Sequence, residues 1–143
     1  NFFDLSLVGG YSNNVYRKFY GAPYVQRGGL VGFEFGYSRA VNEYCALGFS
    51  FHTGFMAPFF GYNMYIIPEF NLMIGHLPSN IAGIFNIGVG YGFGFQFGIY
   101  INGFTFKMGY AIPGIQFSGR FESNILSIAI GYRINWASKI KIK

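Results

Sequence analysis

The sequence predicts an all-β chain: a closed antiparallel transmembrane barrel of eight strands, in a single domain spanning residues 1–143. Three observations predict it. The chain is 52% hydrophobic and only 10% charged, far from the roughly 25% charged residues of soluble domains. Its apolar residues are 19 Phe and 12 Tyr against seven Leu and eight Ala, with 22 Gly, a mixture that favours strands over helices. Large side chains also alternate with small or polar ones at period two over long stretches.

Residues 44–68 and 70–106 contain no Asp, Glu, Lys or Arg, so each is long enough to cross a bilayer as a helix. A helix would spread Phe85, Ile87, Phe93, Phe95, Phe97, Ile99 and Ile101 around its circumference and would carry Gly88, Gly90, Gly92, Gly94 and Gly98 in one run. A strand instead puts the two sets on opposite faces. The first strand is expected at about 2–11, with Phe3, Leu5, Leu7 and Tyr11 outward. The second falls at 29–38, with Val31, Phe33, Phe35 and Tyr37 outward, and the third at 44–53, with Cys45, Leu47, Phe49 and Phe51 outward. The fourth, 62–73, directs Tyr62, Met64, Ile66, Phe70 and Leu72 outward. Pro68 falls inside it and removes a ladder donor, which calls for a bulge, a strand end, or a weakened seam against another subunit.

His76-Leu77-Pro78-Ser79-Asn80 reads as a turn, and the odd-numbered run from 81 to 101 is too long for one strand. It is expected to fold at Gly92–Gly94 into the fifth and sixth. Asn102-Gly103 is a strong hairpin signal. The seventh strand carries Phe104, Phe106, Met108, Tyr110 and Ile112 outward, and Pro113-Gly114 ends that run. The last, 125–136, shows Leu126, Ile128, Ile130, Tyr132, Ile134 and Trp136. The barrel thus covers about 2–136, leaving 137–143 as a basic tail with Lys139, Lys141 and Lys143. Ten strands, with 115–122 as an additional one, is the alternative. A sheet edge left open in hydrocarbon would cost several kcal/mol per backbone group, so the sheet must close. A soluble barrel would need charges on its polar face, which instead carries mostly Gly, Ser and Asn.

The whole chain resembles the small bacterial outer-membrane barrels of the OmpA and OmpX type. The resemblance is sharpest over residues 129–136, which look like the C-terminal assembly signal of that class through Gly131, Ile134 and Trp136. Ala129 stands where a polar residue is usual, and seven residues follow Trp136. The resemblance implies residence in the bacterial outer membrane among lipids and lipopolysaccharide, insertion by the outer-membrane assembly machinery, and both termini in the periplasm. It also implies short periplasmic turns and longer outer loops.

With that orientation the inward charged residues Asp4, Glu34, Glu69, Lys107 and Arg133 fall in the periplasmic half of a narrow lumen. They are expected to pair as a plug, with Arg133 able to bridge two carboxylates through its planar fork. A gated ion path and catalysis are the alternatives. Inward glycines at 32, 36, 48, 88, 90, 109 and 131 are expected to make room for Tyr65, Lys107, Arg133 and His52.

Ser50 and His52 face inward near the expected outer rim, but neither their order nor their facing matches the lipid-deacylating barrels. His76 has no acidic neighbour in sequence. Two His and one Cys offer no metal-ligand spacing, and no cofactor is expected. Gly88-Val89-Gly90-Tyr91-Gly92 has no helix after it to cap a phosphate. Cys45 is alone, so no internal disulfide forms. The start at Asn1 fits an exported protein whose signal peptide has been removed.

The expected first outer loop, residues 12–28, carries Arg17, Lys18 and Arg27 among Tyr16, Phe19, Tyr20 and Tyr24. It suits lipid anchoring at lipopolysaccharide phosphates, or recognition of an anionic glycan, host protein or partner chain. Three of ten bases sit in the tail, so the net +5 is not a nucleic-acid-binding balance. The tail itself suits a solvated end or strand addition to a partner. The expected function is a structural or interaction role, through outer loops or as an accessory subunit of a larger membrane complex, and not an enzyme. A narrow channel or small-ligand carrier is the first alternative and a lipid-modifying enzyme the second.

Overall fold

The computed structural model describes residues 1–16, 24–56, 64–89, 92–113 and 121–135. Over these the chain forms β1 (Phe2–Tyr16), β2 (Tyr24–Ala40), β3 (Cys45–Met56), β4 (Met64–His76), β5 (Ile81–Val89), β6 (Gly92–Ile101), β7 (Phe104–Pro113) and β8 (Phe121–Asn135). A short 3-10 turn, Leu77–Ser79, links β4 to β5. Each strand pairs antiparallel with its sequence neighbour, and β1 also pairs with β8 from Phe2↔Asn135 to Tyr16↔Phe121, so the sheet is a closed barrel. The ten-strand alternative is thereby excluded.

Alternation of side chains decides which face is which. Phe49 is 66% exposed and Leu7 63%, whereas Glu34, Tyr65 and Ile84 are fully buried in the lumen. The exposed belt consists almost entirely of Phe, Ile, Leu, Val, Tyr and Met, and belongs in hydrocarbon rather than water. Tyrosines rim the belt. Tyr37, Tyr44 and Tyr132 lie at the end that carries the chain termini, and Tyr11 toward the opposite, far end, the positions that membrane-interface aromatics occupy.

Local chemistry sets the turns. Asn102 (φ 49°) and Gly103 (φ 93°) form the two-residue connection between β6 and β7, both in the left-handed region that a type I′ turn needs. That turn pairs Ile101 with Phe104 and so switches the outward set from odd to even numbers. A side chain at Gly103 would also strike the Tyr132 ring, so the position excludes one twice over. The expected 81–101 run is divided after Val89, where β5 ends, and before Gly92, where β6 starts, not at Gly92–Gly94. Gly92 and Gly94 belong to β6, opposite Pro113 and Ala111.

The far rim is stepped. Expected strand lengths were those that cross a bilayer, but β1, β2 and β8 run on beyond it. Ser12 to Tyr16 pair with Gly28 to Tyr24 on one side and Ile125 to Phe121 on the other, so much of the expected loop at 12–28 is strand. The β5–β6 hairpin is short by comparison.

Pro68 marks that step. It sits in mid-strand, opposite Phe51, in a β3–β4 ladder that runs without a bulge from Cys45↔Ile74 to Phe55↔Met64. Its carbonyl lies 3.0 Å from where a Cβ on Gly88 would stand, so this edge of residue 68, including its missing N–H, faces β5. The β4–β5 ladder ends at Glu69↔Gly88, one position earlier. Neither a bulge nor a strand end is needed, because the absent donor lies where the ladder stops. Trp136 and the basic tail at 137–143 lie outside the described residues.

Candidate functional site

Buried apolar clusters lie on either side of a charged layer in the lumen. Toward the terminal end Phe2, Met73, Leu77, Ile84 and Tyr100 pack together, and toward the far end Val8, Leu30, Met56, Tyr65, Ile67 and Ile125 do so. Asp4, Glu34, Glu69, Lys107 and Arg133 lie between them, at most 5% exposed. Asp4 comes from β1, Glu34 from β2, Glu69 from β4, Lys107 from β7 and Arg133 from β8, so only barrel closure can bring them together.

The ion pairs form a chain. Arg133 Nη2 lies 2.7 Å from Asp4 Oδ2, Lys107 Nζ lies 3.0 Å from the same oxygen, and Lys107 Nζ lies 2.7 Å from Glu34 Oε1. Ser6 Oγ donates to Asp4 Oδ1 at 3.0 Å. The bridging cation is therefore Lys107, not Arg133 as the planar fork suggested. Arg133 spends its second terminal nitrogen on the Met73 sulfur, and its guanidinium carbon sits 5.8 Å from the centre of the Tyr100 ring. Glycine makes the lysine crossing feasible. A Cβ on Gly98 would come within 2.6 Å of Lys107 Cγ, and one on Gly36 within 3.3 Å of Asp4 Cβ. Gly98 was named only in the run that argues against a helix, not among the inward glycines expected to make room.

Glu69 has no Lys or Arg partner among the described residues. Its Oε2 accepts from Ser50 Oγ at 3.2 Å and Asn86 Nδ2 at 3.1 Å. Asn86 is the hub of this half of the lumen. Its Nδ2 also lies 3.1 Å from Glu34 Oε1, 3.2 Å from Gln96 Oε1 and 3.3 Å from Ser50 Oγ, four acceptors for two protons. Its Oδ1 accepts from Asn71 Nδ2 at 2.6 Å, and Ser38 donates to Asn71 at 2.9 Å. Sequence reasoning missed Asn71, Asn86 and Gln96. Their signal was present as the non-glycine, non-apolar residues on the inward parity.

Ser50 and His52 do not form a nucleophile–base pair. Ser50 donates to Glu69, while His52 Nε2 meets the Tyr65 hydroxyl at 2.9 Å and Nδ1 meets Gln96 Nε2 at 3.2 Å. Both lie within the polar layer beneath the far-end apolar layer, deeper than the rim position expected of them. No group of three or more His, Cys, Asp or Glu able to hold a metal occurs among the described residues. Glu34 Oε2, Glu69 Oε1 and Arg133 Nε find no hydrogen-bond partner there. Such atoms cost about 1–3 kcal/mol each, so the layer fills and specifies the lumen more than it stabilises it.

The remaining sites are on the surface. Arg27 is exposed on β2, which also contains Tyr24, while Arg17, Lys18 and Tyr20 lie outside the described residues. Of the assembly signal, Gly131 packs against Ser6 and Leu5 of β1, and Ile134 is 57% exposed on the belt.

No family model and no curated protein matches the chain. Solved structures do. The fold is similar to that of Ail, the attachment invasion locus protein of Yersinia pestis, in the crystal structure of its complex with the heparin analogue sucrose octasulfate. The TM-score is 0.52 at 13% identity, over 92% of this chain and 99% of that one. A second crystal structure of Ail gives 0.46 at 10% identity, over 92% and 98%. The chain therefore has the fold of a small eight-stranded outer-membrane barrel.

Replacing Lys107 with Met leaves Glu34 without a cation and Asp4 with only Arg133. The barrel should lose about 3–5 kcal/mol of stability in urea unfolding from lipid vesicles at neutral pH. A Lys107→Met/Glu34→Gln double variant should recover part of that loss. A Lys107→Met loss below about 1 kcal/mol would show that the buried pairs are not coupled as described.

Proposed function

We propose that the chain is an integral outer-membrane protein with a plugged lumen, both termini periplasmic, acting through its raised outer wall rather than through its interior. Among the described residues, buried apolar clusters lie on either side of a hydrogen-bonded ionic layer, which is what supports a plug over a channel. In planar bilayers the purified protein should give no stable conductance step, and a large steady one in the unmodified protein would contradict the plug.

The single observation that carries the interaction role is the wall itself. Among the described residues, β8, β1 and β2 stay paired beyond Tyr11, while the ladders to β3 and β7 are described as far as Leu30↔Met56 and Ala111↔Ile125. Five residues of strand correspond to roughly 17 Å of rise along the strand. This three-stranded blade stands outside the belt, carries exposed Arg27, and leads into the segment with Arg17 and Lys18. An exposed Arg27 on this sheet, with Arg17 and Lys18 nearby in the sequence, suits a polyanionic partner, and the neighbour Ail is seen with the heparin analogue sucrose octasulfate. A sulfated or phosphorylated glycan is accordingly the partner class proposed here.

Binding to immobilised heparin measures this directly. An Arg17→Ser/Lys18→Ser/Arg27→Ser triple variant should bind at least roughly tenfold more weakly, since each charge-assisted contact is worth about 1.5–3 kcal/mol. The affinity of the unmodified protein should fall as salt rises. Equal affinity in the triple variant would remove the glycan reading and leave the same residues as lipid anchors.

A further inference from the structure

The belt has a dent near the terminal end. Among the outward residues of β4, β5 and β6, rows of large side chains follow one another, but the row Ile74–Gly83–Ile99 has glycine at its centre. Gly83 is flanked along its own strand by Ile81 and Phe85. The row below is His76–Ile81–Ile101, and the 3-10 turn places Ser79 beside it. The result is an open crevice of about 400 Å³ with isoleucine walls, a glycine floor, and His76 and Ser79 at its mouth. That volume lies within the roughly 300–1,000 Å³ typical of small-molecule sites.

Its chemistry is divided in the manner of a lipid. His76 Nδ1 is hydrogen-bonded to Ser79 Oγ, and the Tyr44 ring braces the imidazole at 5.7 Å between ring centres. When Nδ1 accepts the serine proton, the ring carries its own on Nε2 and presents a donor to the rim. An acyl chain suits the apolar slot, and a phosphate oxygen suits the Nε2–H donor above it, which Ser79 orients through Nδ1. The slot is continuous with the lipid-facing belt, so a bilayer lipid is the species presented to it. We propose that this crevice seats one membrane phospholipid, with an acyl chain over Gly83 and its phosphate at His76, whose ring Ser79 holds in place. The proposal rests on the membrane reading of the belt and is independent of the glycan reading.

Two outward glycines allow a controlled test. A Cβ on Gly83 would meet only ordinary contacts, Phe85 Cε2 at 3.5 Å and the Ile74 carbonyl at 3.6 Å, and one on Gly9 would meet nothing within 4 Å. Both positions therefore accept a larger residue without strain in the wall, and heat-modifiable gel mobility verifies folding. The protein is purified in mild detergent, supplied with phosphatidylglycerol, and examined by native mass spectrometry. One retained lipid is expected on the unmodified barrel and on Gly9→Phe, with occupancy reduced roughly tenfold in Gly83→Phe. A His76→Ala/Ser79→Ala variant should retain phosphatidylglycerol no better than diacylglycerol with the same chains. No retained lipid on the unmodified barrel, or equal retention by Gly83→Phe and Gly9→Phe, would overturn the site. An undiminished preference for phosphatidylglycerol in the double variant would overturn the headgroup assignment.

Discussion

A backbone in hydrocarbon has nowhere to place an unpaired N–H or C=O, and the rest of this structure depends on that constraint. It forces β1 onto β8, and with eight strands the closed wall leaves a lumen only as wide as its own side chains. The inward face must then be filled without collision. Large residues crossing the lumen alternate with glycines that make way for them, as Gly98 does for the stem of Lys107. The ionic layer follows from the same geometry. Asp4, Glu34, Lys107 and Arg133 are linked in a chain drawn from four strands, Glu69 is held by Ser50 and Asn86, and all five are buried.

Parity made the architecture legible. Phe93, Phe95, Phe97, Ile99 and Ile101 on one side of Asn102-Gly103, and Phe104, Phe106 and Met108 on the other, determine both the outward face and the hairpin between. Facing could be read as well, since the five ionisable residues fall on the inward set. Their partners could not be. Lys107 reaches Glu34 because the tilt and stagger of the closed sheet bring β7 and β2 together across the lumen, and no local pattern encodes that stagger. Asn86 was hidden for a related reason. An amide that serves two carboxylates differs in sequence in no way from one that merely fills space. Pro68 was misjudged because its consequence depends on how high the neighbouring β5–β6 hairpin reaches, and length alternation cannot report the height of a neighbour.

The same stepped rim divides the surface into parts with different physics. The blade of β8, β1 and β2 continues beyond Tyr11 and carries exposed Arg27. The short hairpin leaves the opposite wall low, with Pro68 and Pro113 standing where its ladders end. Near the terminal end of that same wall, the belt is interrupted by glycine at Gly83, beside a polar rim at His76.

The inside-out arrangement itself is open to direct measurement. A nitroxide placed in turn at each residue of β6, 92–101, in barrels reconstituted into lipid vesicles, reports contact with dissolved oxygen and with a water-soluble nickel complex. Positions 93, 95, 97, 99 and 101 should be strongly oxygen-accessible and closed to nickel, while the even positions should be shielded from both. Free access of the nickel complex to positions 94, 96 and 98, with oxygen excluded from the phenylalanines, would mean that the aromatic face is the dry interior of a soluble protein.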